Sequence, residues 1–357
     1  MIDKLFHILY DTIIITIIKS TQELTLYIEV LHKKTLKDSI EKTFILNDTF
    51  SDTLLYDYLK QFIEETPYYY VTLLDVSYEQ GAIPTCNKVE FGKYKDLSTA
   101  KHQCYENKWL YYTSFPELEE QLHFIGKVGV DFVFSPFIVL SRFFHDKMAT
   151  SKETMFVLVL KESLTLAVFK ENQLLFGSYI DISAHIASSN LSELLDEEEQ
   201  EIEEQMEESV NLDDIALDGD LDLDDDLDEL DDFDTIEDLN TLDALDTGDD
   251  LEQRLEENLE ELDNAEENQA KEEEESNEGI SDDYQHFLLI QQTLKAYYDD
   301  EKYNSDFIEN IYIADGIKLS NDFKHYLQDE LFLNVYIRSV EVEMELAALT
   351  KKELGLV

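Results

Sequence analysis

Cysteine is almost missing: Cys86 and Cys104 are the only two in 357 residues. Two thiols cannot build a disulfide framework for a chain of this length. No CxxC or HxxxH spacing recruits them, with His102 or His123, as metal ligands. Both are expected to be reduced and structural. Basic residues are scarce as well, with 27 Lys and Arg against 82 Asp and Glu and a formal net charge of −55. That shortage argues against nucleic acid or an anionic membrane surface as a direct partner, because binding there takes neutralising cations. Long apolar runs are lacking too. The longest, FIGKVGVDFVFSPFIVLSRFF, is interrupted by Lys127, Asp131, Pro136 and Arg142 and is not a membrane span. Asp3, His7 and Asp11 break the apolar pattern at the start, and no small-residue cleavage site follows, so a cytosolic chain is expected.

Catalytic signatures are also wanting. The eight histidines are scattered, and no HExxH, GxSxG or P-loop pattern occurs. Carboxylates abound, but acid–base work needs fixed geometry and a shifted pKa, which a run of solvated acids does not supply. An enzyme is therefore not the expected class, and neither a metal nor a cofactor is expected.

The charge that is present is concentrated. Residues 193–279 hold 42 of the acidic residues against two basic ones, Arg254 and Lys271, and account for −40 of the −55. Apolar residues recur there every third position (Leu227, Leu230, Phe233, Ile236, Leu239), a spacing that drifts around a helix and makes no lasting stripe. Leu251, Leu255, Leu259 and Leu262 fit one face of a short amphipathic helix. The bulk cannot offset backbone entropy and self-repulsion, and a disordered insertion is expected. DGDLDLDDDLDE (218–229) imitates a calcium loop, but Leu223 stands where that loop requires Gly, so no calcium site is expected.

On either side of the tract the chain is rich in Tyr, Phe, Leu and Ile. TIIITIIKS, LTLYIEVL and TLKDSIEKTFIL read as three strands joined by short polar loops, followed by a helix at 53–65 capped by Asp52 and a strand at 68–76. After a polar stretch come a strand WLYYTS, a helix from Pro116, a strand VDFVF and a helix from Pro136. The pattern then restarts with TMFVLVLK, LTLAVFK and QLLFGSYIDI. Beyond the tract it continues with a helix (282–301), a strand (307–314), a helix (319–330), a strand (332–337) and a final helix. Each half is β-β-β-α-β-α-β-α, and a repeat of this kind fixes the fold. The expectation is an α/β, duplicated ribonuclease-H-like (actin-like) two-lobed fold. Its first lobe is 1–150 with an inserted subdomain at about 77–114. Its second is 151–192 with 280–357, and the acidic insertion is 193–279.

Two stretches carry a family resemblance. IYIADGIKLSNDFKHYLQDELFLNVYI (311–337) runs strand, turn, helix, strand, and MFVLVLKESLTLAVFKENQLLFGSYID (155–181) is a hairpin. They resemble segments of PilM and of the cytoplasmic domain of GspL, actin-like proteins of type IV pilus and type II secretion machines. The resemblance implies nucleotide loops, and here they depart from the family. The first loop includes Ser20 and Thr21 and lacks both Gly and Asp. The second, Lys161-Glu162-Ser163, lacks Gly. A Cβ at every position blocks close approach to a phosphate. The nucleoside turn is Ala314-Asp315-Gly316, where Asp315 would set a carboxylate beside an anion and Gly316 would keep the backbone freedom a strand-to-helix turn needs.

The resemblance therefore implies a catalytically silent, PilM-like scaffold. It would hold the cytoplasmic tail of a PilN-like inner-membrane protein, meet the membrane only through that partner, and assemble as a homo-oligomeric ring. The host machine would be a type IV pilus, a type II secretion system or a pilus-derived flagellar motor. Tyr94, Tyr105, Trp109, Tyr111 and Tyr112 are a candidate wall for the tail, with packing of an added subdomain as the competing reading. Two alternatives remain: a polymerising ATPase related to FtsA, and an acidic adaptor or chaperone acting through 193–279.

Overall fold

One strand plan, used twice, builds the molecule. In the computed structural model, the described residues are 10–47, 50–182, 283–303 and 305–356. The disorder, calcium-loop and amphipathic-helix readings of 193–279 fall outside them, as do His7 and His185.

In the first half, β1 (Thr12–Lys19), β2 (Glu23–His32) and β3 (Thr35–Ile45) form an antiparallel meander. The turn between β2 and β3 is made by Lys33 and Lys34, both with positive φ, as a two-residue hairpin turn of right-handed twist requires. Helix α1 (Asp52–Ile63) then carries the chain back to β4 (Tyr69–Leu74), which lies parallel to β1 with Ile15 opposite Val71. Helix α2 (Phe115–Ile125) leads to β8 (Phe132–Phe134), parallel to β4, and α3 (Pro136–Phe143) follows. The strand order is β3-β2-β1-β4-β8. The second half repeats it. β9 (Thr154–Leu160), β10 (Ser163–Lys170) and β11 (Gln173–Asp181) make the meander. Helix α4 (283–299), β12 (Asn310–Asp315), α5 (Asn321–Asp329), β13 (Asn334–Ser339) and α6 (Val342–Glu353) complete it. The order is β11-β10-β9-β12-β13. Two mixed sheets of identical order, each with its second strand antiparallel to both neighbours, constitute the duplicated ribonuclease-H-like, actin-like fold.

Burial explains the composition of each strand. β1 reads TIIITIIK and is buried from Thr12 to Ile17, because both faces of its sheet are covered. On one side Leu55 and Leu59 of α1 and Ile125 of α2 close the core, and on the other Ala347 of α6 packs with Ile14, Tyr27 and Leu31. The second sheet is covered on one side by Ile290 and Leu294 of α4 with Phe323 and Leu327 of α5. On its other side Phe137, Val139 and Leu140 of α3 meet Phe156, Ala167 and Phe169. The last helix of each half thus packs on the sheet of the other half.

A third sheet, β5 (Gln80–Ile83), β7 (Trp109–Ser114) and β6 (Ala100–Tyr105) in the order β5-β7-β6, lies between β4 and α2 in sequence. It approaches β11 so closely that a Cβ at Gly177 would fall 2.8 Å from the Cβ of Ala82.

Several expectations need correction. Cys86 and Cys104 are not separate thiols but form a disulfide, with Cα atoms 5.6 Å apart. Cys86 follows β5 and Cys104 lies on β6, strands that flank β7, and sequence spacing does not reveal such proximity. Asp52 sits in the first turn of α1, whereas Ser51 is its cap and accepts from the N–H of Leu54. Ser320 caps α5 in the same way.

Candidate functional site

The first hairpin turn of each half faces the other. β1 ends at Lys19 and β9 at Leu160, and the turns beyond them border a cleft of about 510 Å³. Its remaining walls come from the ends of β4 and β12, from the first turns of α2 and from residues 339–343. Ser20, Thr21, Glu162, Ser163, Asp315 and Gly316, singled out in the sequence as altered loop positions, all line it.

The loops do not stand open. Thr21 donates its backbone N–H to both carboxylate oxygens of Glu162, at 2.8 and 3.1 Å, and its hydroxyl also donates to Glu162. Lys161 lies 3.9 Å from Glu23 across the same gap. A backbone N–H in the first loop is thereby occupied by an acidic side chain from the second. Ser20 is turned to its own hairpin, its hydroxyl accepting from the N–H of Glu23 at 3.0 Å, and Ser163 is buried at the start of β10.

Asp315 behaves in the same manner. Its carboxylate is only 8% exposed and accepts from the N–H groups of Ile317, Lys318 and Leu319 at 2.8 to 3.1 Å. The expectation of a bare negative charge facing the ligand position is corrected: Asp315 is folded back onto its own turn. Gly316 also has a different reason from the one expected. Its φ is not positive; instead a Cβ would lie 2.9 Å from both the carbonyl oxygen of Val159 and a methyl of Leu160. Close packing of the turn against β9 is what demands glycine.

Sequence reasoning missed the corresponding group in the first half. Asp75, just beyond β4, is buried and accepts from the N–H and hydroxyl of Ser77 at 3.0 and 2.6 Å. Gln121 of α2 donates to Ser77 at 2.8 Å, and Gln80 donates to the backbone carbonyl of Ser77 at 2.9 Å. Glu117 accepts from the N–H of Tyr78 at 2.6 Å. The only signal in the sequence was a lone Asp closing an apolar strand, which periodicity alone does not mark.

Electrostatics follow from this inventory. Eight carboxylates line the cleft against three lysines, Lys19, Lys161 and Lys318. Burial pushes the Glu343 carboxyl up from its ordinary value, as expected for an acid among acids. Burial likewise raises the Tyr179 phenol. Such a surface repels polyanions. Among the described residues, no group of three or more His, Cys, Asp or Glu is placed to hold a metal ion. Among them, too, no helix is long and apolar enough to cross a membrane.

The aromatic wall is elsewhere, in the inserted sheet. Trp109 is 2% exposed and packs edge-on against Phe169 at 6.1 Å, so it is a core residue and not part of a binding wall. Tyr105 lies against it at 5.1 Å, half-buried. Burial pushes the phenols of Tyr111 and Tyr112 up to about 12. Tyr94, half-buried, neighbours Tyr303 at 6.2 Å.

A family model described as a domain of unknown function (DUF8341) matches residues 155–355, more than half of the chain. The chain belongs to that family. A second model, also a domain of unknown function (DUF8569), matches residues 10–141. The DUF8341 match takes in β9 through α6 apart from the first residue of β9, and the other takes in β1 through most of α3. No curated protein matches the chain in sequence. Solved structures similar over most of their length include a Bacteroides thetaiotaomicron protein of actin-like ATPase fold and unknown function. It is 9% identical over 94% of this chain and 95% of that one, with a TM-score of 0.46. The PilM–PilN type IV pilus biogenesis complex is 13% identical over 93% and 89%, with a TM-score of 0.45. The ethanolamine utilization protein EutJ from Carboxydothermus hydrogenoformans is 8% identical over 93% and 86%, with a TM-score of 0.36. The strand order described above is what establishes the fold of this DUF8341 member.

Proposed function

We propose that this DUF8341 member is a non-catalytic scaffold of actin-like fold whose interlobe cleft has given up nucleotide. One observation carries the reading: backbone N–H groups around the cleft are already taken by the protein's own carboxylates. Glu162 holds Thr21, Asp315 holds residues 317–319, and Glu117 holds Tyr78. A phosphate recruits such donors in nucleotide-binding folds. Here an incoming triphosphate would have to displace internal anions and enter a cleft of eight carboxylates. Isothermal titration of Mg-ATP into the full chain should give no binding heat, and micromolar affinity would overturn the proposal.

The sequence resemblance extends this to a working role. The chain would sit at the cytoplasmic face of the inner membrane, as a ring, and hold the tail of a PilN-like protein of a pilus, secretion or flagellar machine. The Cys86–Cys104 disulfide is the feature that speaks against a reducing compartment. Recovery of a PilN-like protein with the chain from detergent-solubilised membranes tests this part, and failure to recover one from cells that assemble the machine refutes it. The retained cleft favours one rival, a polymerising ATPase. That rival requires filaments that form only with ATP.

A further inference from the structure

A sheet edge presents unpaired backbone groups, and proteins usually blunt it. The two five-stranded sheets have four edges, and three of them are blunted. β3 carries Lys37, Asp38, Glu41 and Lys42, β8 is three residues long, and β11 is approached by β5 at Ala82. β13 is different. It is six residues long with Arg338 as its only charge, and among the described residues it pairs with β12 alone.

Register fixes which groups are free. The N–H of Asn334 bonds the carbonyl of Glu309, and the N–H of Val340 bonds that of Asp315. The even-numbered residues of β13 therefore face β12, and the backbone N–H and C=O of Val335, Ile337 and Ser339 point outward.

The side chains along this edge are those of a recognition surface. Tyr336 is 49% exposed yet held rigid, stacked at 4.7 Å on Tyr312, which stacks in turn at 5.4 Å on Phe156. Phe332, just before the strand, is 81% exposed and has a φ of 56°, a conformation that bulky residues rarely adopt. At the other end, the Arg338 guanidinium lies 5.0 Å from the Phe143 ring. Arg142 and Arg338, the only arginines among the described residues, share a cavity of about 480 Å³ with Lys352, Glu106 and Glu345. Their ion pairs are loose, 3.7 Å from Arg142 to Glu345 and 3.9 Å from Arg338 to Asp146. Arg338 also donates Nη1 to the Phe143 carbonyl at 3.4 Å, and each guanidinium keeps further N–H groups for a closer carboxylate.

We propose that β13 is a docking edge for an extended acidic segment of a partner protein. The segment pairs its backbone with Val335, Ile337 and Ser339, lays an apolar side chain on Tyr336 and sets a carboxylate against Arg338. Charge selects this occupant. The arginine pair, with Lys352 beside it, attracts a carboxylate and repels a basic segment at short range.

A random peptide library displayed on phage, selected against the full chain, tests this. The enriched peptides should combine Asp or Glu with aromatic or β-branched residues. When bound, such a peptide should slow hydrogen exchange at the amides of Val335 and Ile337. Arg338→Glu should weaken it by about tenfold or more, as removal of a charged partner does, and selection on that variant should favour Lys and Arg instead. The side chain of Arg338 is exposed, so folding is kept, and an unchanged melting curve verifies this. The proposal is overturned if no peptide is enriched, if those enriched lack acidic residues, or if they bind Arg338→Glu equally. It is also overturned if they protect another element, or if the Ile337 amide is protected by self-association.

Discussion

Of the carboxylates that join the halves of the molecule, two do so under opposite conditions. Glu29 of β2 is 2% exposed and meets Lys351 of α6 at 2.8 Å, with the Tyr27 hydroxyl at 3.4 Å. Glu162 stands at the exposed cleft rim and, among the described residues, its carboxylate meets the uncharged donors of Thr21. The buried ion has no substitute for its partner, whereas the rim carboxylate can return to water at little cost. Breaking the buried pair under α6 therefore costs more stability than breaking the exposed cleft contact.

Removing the partner of the buried acid should have the largest effect. Lys351→Met keeps the apolar stem but strands Glu29, and should cost about 3–5 kcal/mol, read as a lowered denaturant midpoint. A loss below about 1 kcal/mol would mean that water reaches Glu29 and would erase the contrast. Glu162→Ala should cost no more than about 1 kcal/mol, as exposed hydrogen bonds do. Because seven carboxylates remain in the cleft, Mg-ATP should still fail to bind this variant. The smallest effect concerns Glu343. A carboxyl held above its ordinary 4.5 keeps a proton in the folded chain that the unfolded chain has already lost, so stability falls as pH rises past that value. Glu343→Gln should flatten that slope in urea titrations between mildly acidic and neutral pH, and an unchanged slope would show that the group is solvated.

How far the sequence could be read depends on whether a feature is local. β-branched runs such as TIIIT and VLVL, punctuated by short polar turns, announce strands through side-chain chemistry that acts within a few residues. The restart of the pattern at Thr154 then gives the fold, because the same local plan must bury the same faces. The roles of Glu162 and Asp315 were not legible. Whether a carboxylate repels a ligand or satisfies an amide is decided by displacements of a few ångströms, and Asp315 turns onto its own loop where composition suggested an outward charge. Trp109 illustrates the same limit from the apolar side: a residue type favoured at interfaces is also one that fills a core. The pairing of Cys86 with Cys104 depends on the strand order β5-β7-β6, which no spacing rule encodes.

The exchange of final helices has a consequence for how the protein is made. The sheet face bearing Ile14, Tyr27 and Leu31 waits for α6, whose residues are translated long after β4. At ordinary elongation speeds the interval between β4 and α6 is on the order of tens of seconds. Throughout it the nascent chain bares a strongly apolar sheet surface, a natural client for ribosome-associated chaperones. Completion of the first half thus lags well behind the emergence of its strands.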